Sequence, residues 1–311
     1  MTRVPPSLVI KALRDLRPHW PGVEAQIRPD GRGRYPIDLT GLARQFRPGT
    51  DGVVTVTGPD GGDYFNPVSA CLYALASHTQ AQRAAGQQAG HLAAFLGQAG
   101  HLRLSQDPRG GWQYPVPVAR YGVRPGWYSA MAQGLAVSVM LRACDVTGEQ
   151  SYLDAAGAAS ALMLLPLGSG GCADYDESGR PFLEECPSDS PCHILNGALY
   201  ALIGLRELEA RTGGRAHLGA ASRLAAQLGD YDLGYWSRYD LSFSAPATLA
   251  YHCLHVSLLE ATSALFANSA LFANRGFGET ASRWRAYARR PGYRRRAATA
   301  KALSVAGESR A

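Results

Sequence analysis

Apolar and polar residues follow two periods along this chain, and the switch between them divides it. Up to about residue 63 the apolar positions are scattered. Residues 1–33 read as a loosely organised lead-in, with a short helix over 8–16 and then Pro18, Pro21, Pro29 and the glycines of 31–33 as breakers. The run Val53-Val54-Thr55-Val56-Thr57, followed by a turn over 58–62 with an Asp-Gly pair at Asp60-Gly61, predicts a small β-hairpin. From Pro67 onward the spacing turns helical. Helices are expected over 70–78, 82–97, about 127–146, 150–165, 193–211, 215–229 and 249–268, with a basic helix after them. The stretch 110–126 reads as a loop rich in Gly, Pro and aromatics. The stretch 168–185 reads as irregular, with short strands and turns at Gly170-Gly171 and Ser178-Gly179.

The helix near 127–146 organises the rest. Its sequence from 126, GWYSAMAQGLAVSVMLRACDVTG, joins a small-residue segment to an apolar run and ends on Thr147-Gly148. Small residues let another backbone or a ligand approach the helix axis. Gln133, set among apolar neighbours, requires a partner if buried. The hairpins repeat: Asn66-Pro67, Ala132-Gln133 and Asn196-Gly197 recur about every 65 residues, and Thr212-Gly213 repeats the Thr147-Gly148 stop. A unit of two antiparallel helices cannot bury its inner face alone. The expected fold is therefore mainly α, an (α/α) toroid of helical hairpins with a small N-terminal β-hairpin region, divided as 1–63 and 64–311. A tandem duplication, SALFAN over 263–268 and again over 269–274, reads as local and without chemical meaning.

Charge and composition change this picture little. The net charge of +6 is concentrated at one end. Arg283, Arg285, Arg289, Arg290, Arg294, Arg295, Arg296 and Lys301 include no acid among them, and without these eight the chain carries −2. A polyanion or plain solvent suits such a face. No apolar run is long enough for a bilayer, and no secretory apolar region is visible near Met1, so a cytoplasmic location without membrane contact is expected unless a leader is missing. The six cysteines are irregularly spaced and read as reduced thiols. Cys172, Cys186, Cys192, His193, His252, Cys253 and His255 form neither CxxC nor HExxH, so no metal is expected. No phosphate loop or dinucleotide fingerprint occurs, and neither a cofactor nor nucleic acid is expected.

Several motifs in order resemble one family. WYSAMAQG (127–134) with its Thr-Gly stop, Glu184-Glu185-Cys186-Pro187 followed by His193-Ile-Leu-Asn-Gly-Ala-Leu-Tyr200, Tyr239-Asp240-Leu241, Tyr251-His252 and Tyr64-Phe65-Asn66-Pro67-Val68 are similar to segments of the C-terminal domain of D-glucuronyl C5-epimerases. Those enzymes invert C5 of glucuronate in heparan-type glycans. The resemblance runs from about residue 35 to about 300 and implies the toroid as well. It also implies functional roles for Tyr239, Tyr251 and Glu185, and substrate contacts for Asn196 and Tyr200 and for the segment Ser129, Ala130, Met131 and Ala132. The chain departs from the family at Cys186, where a functional tyrosine is usual, and at Ser242, where arginine follows the Tyr-Asp-Leu motif.

Removing H5 of a uronate takes a proton alpha to a carboxylate. It needs a base, an acid on the opposite ring face and groups that stabilise the enediolate. Tyrosine titrates near 10, so a working tyrosinate needs positive neighbours. Arg120 and Arg124, in the loop before the central helix, are the candidates to hold the substrate carboxylate. A thiol titrates nearer neutrality, so Cys186 is a credible base if one of those arginines stabilises it. Three readings stay open: an epimerase on a uronate-containing anionic glycan, a uronate lyase sharing the first step, and a non-catalytic glycan-binding relative. A homodimer is an open alternative to the monomer.

Overall fold

A computed structural model of the chain describes residues 18–58, 61–83, 86–267 and 276–308, with side chains described as far as residue 304. The expected helix at 8–16, Asp60 of the expected turn and the second SALFAN copy lie outside the described residues. The elements run α1 (Thr40–Ala43), β1 (Thr55–Thr57), β2 (Asp63–Phe65), α2 (Pro67–Arg83), α3 (Gln88–Ser105), α4 (Ala130–Thr147), α5 (Gln150–Leu164), β3 (Ala173–Tyr175), β4 (Pro181–Leu183), α6 (Leu195–Thr212), α7 (Ala216–Gln227), α8 (Leu249–Leu265), α9 (Phe277–Arg289) and α10 (Pro291–Glu308). The molecule is mainly helical. The expected hairpin is β1–β2, antiparallel with Thr57 opposite Asp63, and a second hairpin pairs β3 with β4.

Consecutive helices pair as α2–α3, α4–α5, α6–α7 and α8–α9, and the first member of each pair packs on the next, α2 on α4, α4 on α6 and α6 on α8. The first members are buried nearly all round, as the apolar run of α4 requires, whereas α3, α5 and α7 bury one face. Helices α4 and α6 cross in close contact at glycines. A Cβ on Gly204 would overlap the Gly134 carbonyl, and one on Gly134 would overlap the Ala201 backbone. Buried Gln133 finds its partners in the carbonyls of Gly110 (3.0 Å) and Ala159 (3.1 Å), which tie α4 to the preceding loop and to α5. Both Thr-Gly stops act as expected: Gly148 and Gly213 cap α4 and α6 in the left-handed conformation.

Other boundaries moved for identifiable reasons. Trp127 and Tyr128 stand outside α4, because Trp127 bridges to Tyr114 in extended conformation and Ser129 is the N-cap, its hydroxyl accepting from Ala132 N. The first helix continues through Gln82 to Arg83, so the second begins at Gln88 rather than 82. The single basic helix is two, α9 and α10, divided where Pro291 cannot extend the preceding helix.

The larger correction concerns the lead-in. From Trp20 to Leu39 it is an irregular strap built into the core, with Tyr35, Ile37 and Leu39 fully buried. Ser257 of α8 donates to Pro21 O at 2.8 Å, Arg211 of α6 to Asp30 O, Arg142 of α4 to Gly33 O (3.0 Å) and Arg34 O (3.3 Å), and Arg83 of α2 pairs with Asp38 at 2.6 Å. The strap thus reaches from α8 to α2 across the middle and C-terminal parts of the four central helices. Its anchor is a fully buried bidentate pair, Arg142 with Glu207 at 2.9 and 3.0 Å. Among the described residues no helix is long and apolar enough to cross a membrane.

Candidate functional site

Four of the side chains singled out in the sequence, Glu185, Asn196, Tyr239 and Tyr251, lie near one another at the opposite ends of the central helices, where these begin. Glu185 follows β4 and is half-buried. Asn196, in the first turn of α6, donates to its carboxylate at 3.3 Å, and the same amide lies 3.9 Å from the Met131 sulfur on α4. Gly197 makes the approach of Glu185 possible, since a Cβ there would overlap the Glu185 side chain. Tyr239 precedes Asp240 in the loop before α8, and its carbonyl accepts from Leu195 N at 3.1 Å, which holds that loop to the start of α6. Tyr251, in the first turn of α8, packs its ring edge-on against Tyr239, with centroids 4.7 Å apart. Thr248 caps that turn through Tyr251 N.

The electrostatics of the cluster are set by burial and by carboxylates. Burial, then the charge of Glu184, pushes the Glu185 carboxyl up to about 8, against the hydrogen bond from Asn196. Burial and Glu185 also raise Tyr239 and Tyr251, and a hydrogen bond from Tyr239 opposes the rise at Tyr251. Tyr200, fully buried on α6, is raised by burial and by Tyr251 and Glu185. Its hydroxyl and the Asn196 side-chain oxygen have no partner, two buried polar atoms beside Glu185 that a bound molecule could satisfy.

Three expectations are corrected. Cys186 is not poised as a base: it is buried among Val123, Cys192 and Ile194, with Tyr239 against them, and burial, Glu185 and Glu184 all hold the thiol protonated. The arginines do not stabilise it. Arg120 pairs loosely with Asp240 (3.9 Å) and lies over the Phe243 ring at 4.1 Å, and Arg124 is exposed in its loop. Ser129, Ala130 and Ala132 are enclosed, and their polar groups are used internally, Ser129 as the cap of α4 and Ala130 N on the Glu184 carbonyl at 2.9 Å. They support the site and do not line it, whereas Met131 touches Asn196.

The sequence reading did not single out Tyr114, Tyr121, Glu184 or His193 as site groups. Tyr114 stacks on Trp127 at 4.2 Å and is electrostatically sensitive to Glu185. Tyr121 donates to Asp240 at 2.8 Å. Glu184 is completely buried, and burial raises it to about 7. The doubled Glu184-Glu185 was the available signal, because adjacent side chains on an extended segment point to opposite sides.

Comparison with known proteins places the chain in a family. The family model for the D-glucuronyl C5-epimerase C-terminus matches residues 106–285. A D-glucuronyl C5-epimerase of Caenorhabditis elegans is 32% identical over 224 residues, 64% of this chain and 35% of the worm protein. An uncharacterised protein of Methanocaldococcus jannaschii is 26% identical over 136 residues, 42% of this chain and 44% of that protein. The chain thus matches less than half the length of either relative. The matched region contains α4 to α8, with Glu185, Asn196, Tyr239 and Tyr251. This chain belongs to the D-glucuronyl C5-epimerase C-terminal family.

Proposed function

We propose that this chain is a carbohydrate epimerase that inverts C5 of glucuronate, giving iduronate, in an anionic glycan. The observation that carries the reading is the meeting of Glu185 with the Tyr239–Tyr251 pair beside two unsatisfied buried polar atoms. Glu185, at about 8, is the carboxyl beside the tyrosine pair, and it changes its protonation state close to neutral pH, as a general base requires. Its carboxylate takes H5 from one face of the sugar. A tyrosine hydroxyl returns a proton to C5 from the other face, and the second tyrosine stabilises the phenolate left behind. The reverse reaction exchanges these roles. Asn196 and Tyr200 hold sugar hydroxyls, and Cys186 is a wall of the site.

The four helical hairpins are proposed to close as an (α/α) toroid, with the cleft at the end where α4, α6 and α8 start. The strap that links α8 to α2 supports this closure. Arg289, Arg290, Arg295 and Arg296 are exposed and give a positive face that steers the glycan toward the molecule.

The test is proton exchange at C5 of a glucuronate-containing oligosaccharide in deuterated buffer, read by NMR. Wild type is expected to incorporate deuterium at C5 and to form iduronate. Glu185→Gln, Tyr239→Phe and Tyr251→Phe should each lose about 100-fold or more, and Cys186→Ser should keep most of the rate. An unsaturated, ultraviolet-absorbing product would replace this reading by a lyase. Binding without exchange on every uronate tried would replace it by a glycan-binding protein.

A further inference from the structure

Beside the site lies a buried chain of side chains that the proposed reaction does not use. The backbone of Glu184 is engaged at both ends: its N–H donates to Cys172 O at 2.8 Å, and its carbonyl accepts from Ala130 N at 2.9 Å, the first residue of α4. Its carboxylate accepts from the His193 amide (3.1 Å to each oxygen) and from the Cys192 thiol (3.2 Å). The His193 ring lies between two carboxylates, its Nε2 3.4 Å from Glu184 and 3.0 Å from Asp174. Asp174 in turn pairs with Arg223 of α7. Phe182 stacks on the imidazole at 4.1 Å, Gln227 approaches its Nδ1 at 3.4 Å, and Tyr231 donates to the His193 carbonyl at 2.7 Å.

His193 is also the one non-glycine residue with positive φ (50°) among the described residues. That conformation costs about 1–2 kcal/mol and persists where surrounding contacts over-determine it. Here it aims the His193 amide at Glu184, two residues before α6 begins. One buried residue, through its backbone and its carboxylate together, therefore joins the end of β4, the start of α4 and the approach to α6, the three pieces that carry Glu185, Met131 and Asn196.

We propose that Glu184 is a positioning residue for Glu185, and that the Glu184–His193–Asp174–Arg223 chain fixes where Glu185 points and in which charge state it works. Glu184 looks into the chain while Glu185 looks onto Asn196 and Gly197, so anchoring the first orients the second. The groups electrostatically coupled to Glu184 are Asp174, Cys172, Cys192, Tyr231, Cys186 and Glu185. Those coupled to Glu185 are Glu184, Tyr114, Cys186, Tyr200, Tyr239 and Tyr251. Apart from the His193 ring beside Glu184, the groups of both sets are acids, and after burial it is the negative charge of Glu184 that holds the proton on Glu185.

The activity arm of the test rests on the epimerase reading, and the titration arm does not. The full chain, labelled with 13C at glutamate carboxyls and assigned with Glu185→Gln, is titrated by NMR as wild type and as Glu184→Gln, which keeps the side-chain shape and an acceptor. The Glu185 midpoint is expected at lower pH in Glu184→Gln, and the pH profile of C5 exchange should move the same way with KM unchanged. An unmoved Glu185 midpoint in folded Glu184→Gln overturns the proposal. Should that variant not fold, Asp174→Asn at the half-buried end of the chain must move the Glu185 midpoint, and an unmoved Glu185 midpoint there overturns it equally. A shifted titration with no exchange in wild type removes the epimerase reading and leaves this one standing.

Discussion

At the scale of single residues, Gly197 decides the geometry of the site. Replacing glycine by alanine inside a helix ordinarily stabilises it by about 1 kcal/mol. In this position the added methyl would overlap Glu185, so the sign reverses. Gly197→Ala is expected to lower unfolding free energy by about 1–3 kcal/mol and to reduce C5 exchange, because Glu185 must move. Urea unfolding checks the first part. Unchanged or increased stability would mean that Glu185 does not pack on α6. Where ordered motifs named candidate residues, the structure brings Glu185, Asn196, Tyr239 and Tyr251 near one another. The surroundings of Cys186 and Arg120 were not legible. Whether a thiol faces a cation or two carboxylates depends on contacts between segments far apart in sequence, and local spacing carries no trace of them.

At the scale of elements, α4 was readable because its small residues and apolar run demand burial on every side, and the structure supplies it through α2, α5 and α6. The strap was not readable. It has no period, since its backbone is satisfied piecemeal by side chains of three helices, α4, α6 and α8. Its dependence on Arg142 and Glu207 yields a prediction. Arg142→Met leaves Glu207 charged, buried and unpaired, and frees the Gly33 and Arg34 carbonyls, at a cost of about 3–5 kcal/mol. Adding Glu207→Leu removes the stranded charge and should restore part of that stability. Urea unfolding of the two single variants and the double variant measures the coupling. A double variant no more stable than Arg142→Met would show that the backbone contacts of the guanidinium, rather than the ion pair, anchor the strap.

For the whole molecule, buried titratable groups predict an optimum in stability. Burial holds His78 and His252 down at about 4 and His255 at about 3, against an ordinary value near 6.5. The unfolded chain therefore binds more protons than the folded one below pH 6.5, and stability falls on acidification by about 1.4 kcal/mol per pH unit for each histidine inside its window. Glu184 at about 7 and Glu185 at about 8, against an ordinary value near 4.5, act with the opposite sign, so their contribution falls as pH rises from about 4.5 to 8. Burial lowers His193 as well, so up to pH 6.5 four rising contributions oppose two falling ones, and above it only the falling ones remain. Melting temperature is expected to peak near pH 6.5, and a melting temperature still rising from pH 6.5 to 8 would contradict the burial of the two glutamates. The strap has a further consequence, in the order of synthesis. Pro21 and its partner Ser257 are 236 residues apart, so the segment made early docks on a helix made late. Tyr35 finds Arg142 of α4 before then, but the start of the strap at Pro21 has no partner until α8 is made. A nascent chain halted before α8 should expose that end of the strap to proteases and chaperones, and the emergence of α8 should be what ends its vulnerability.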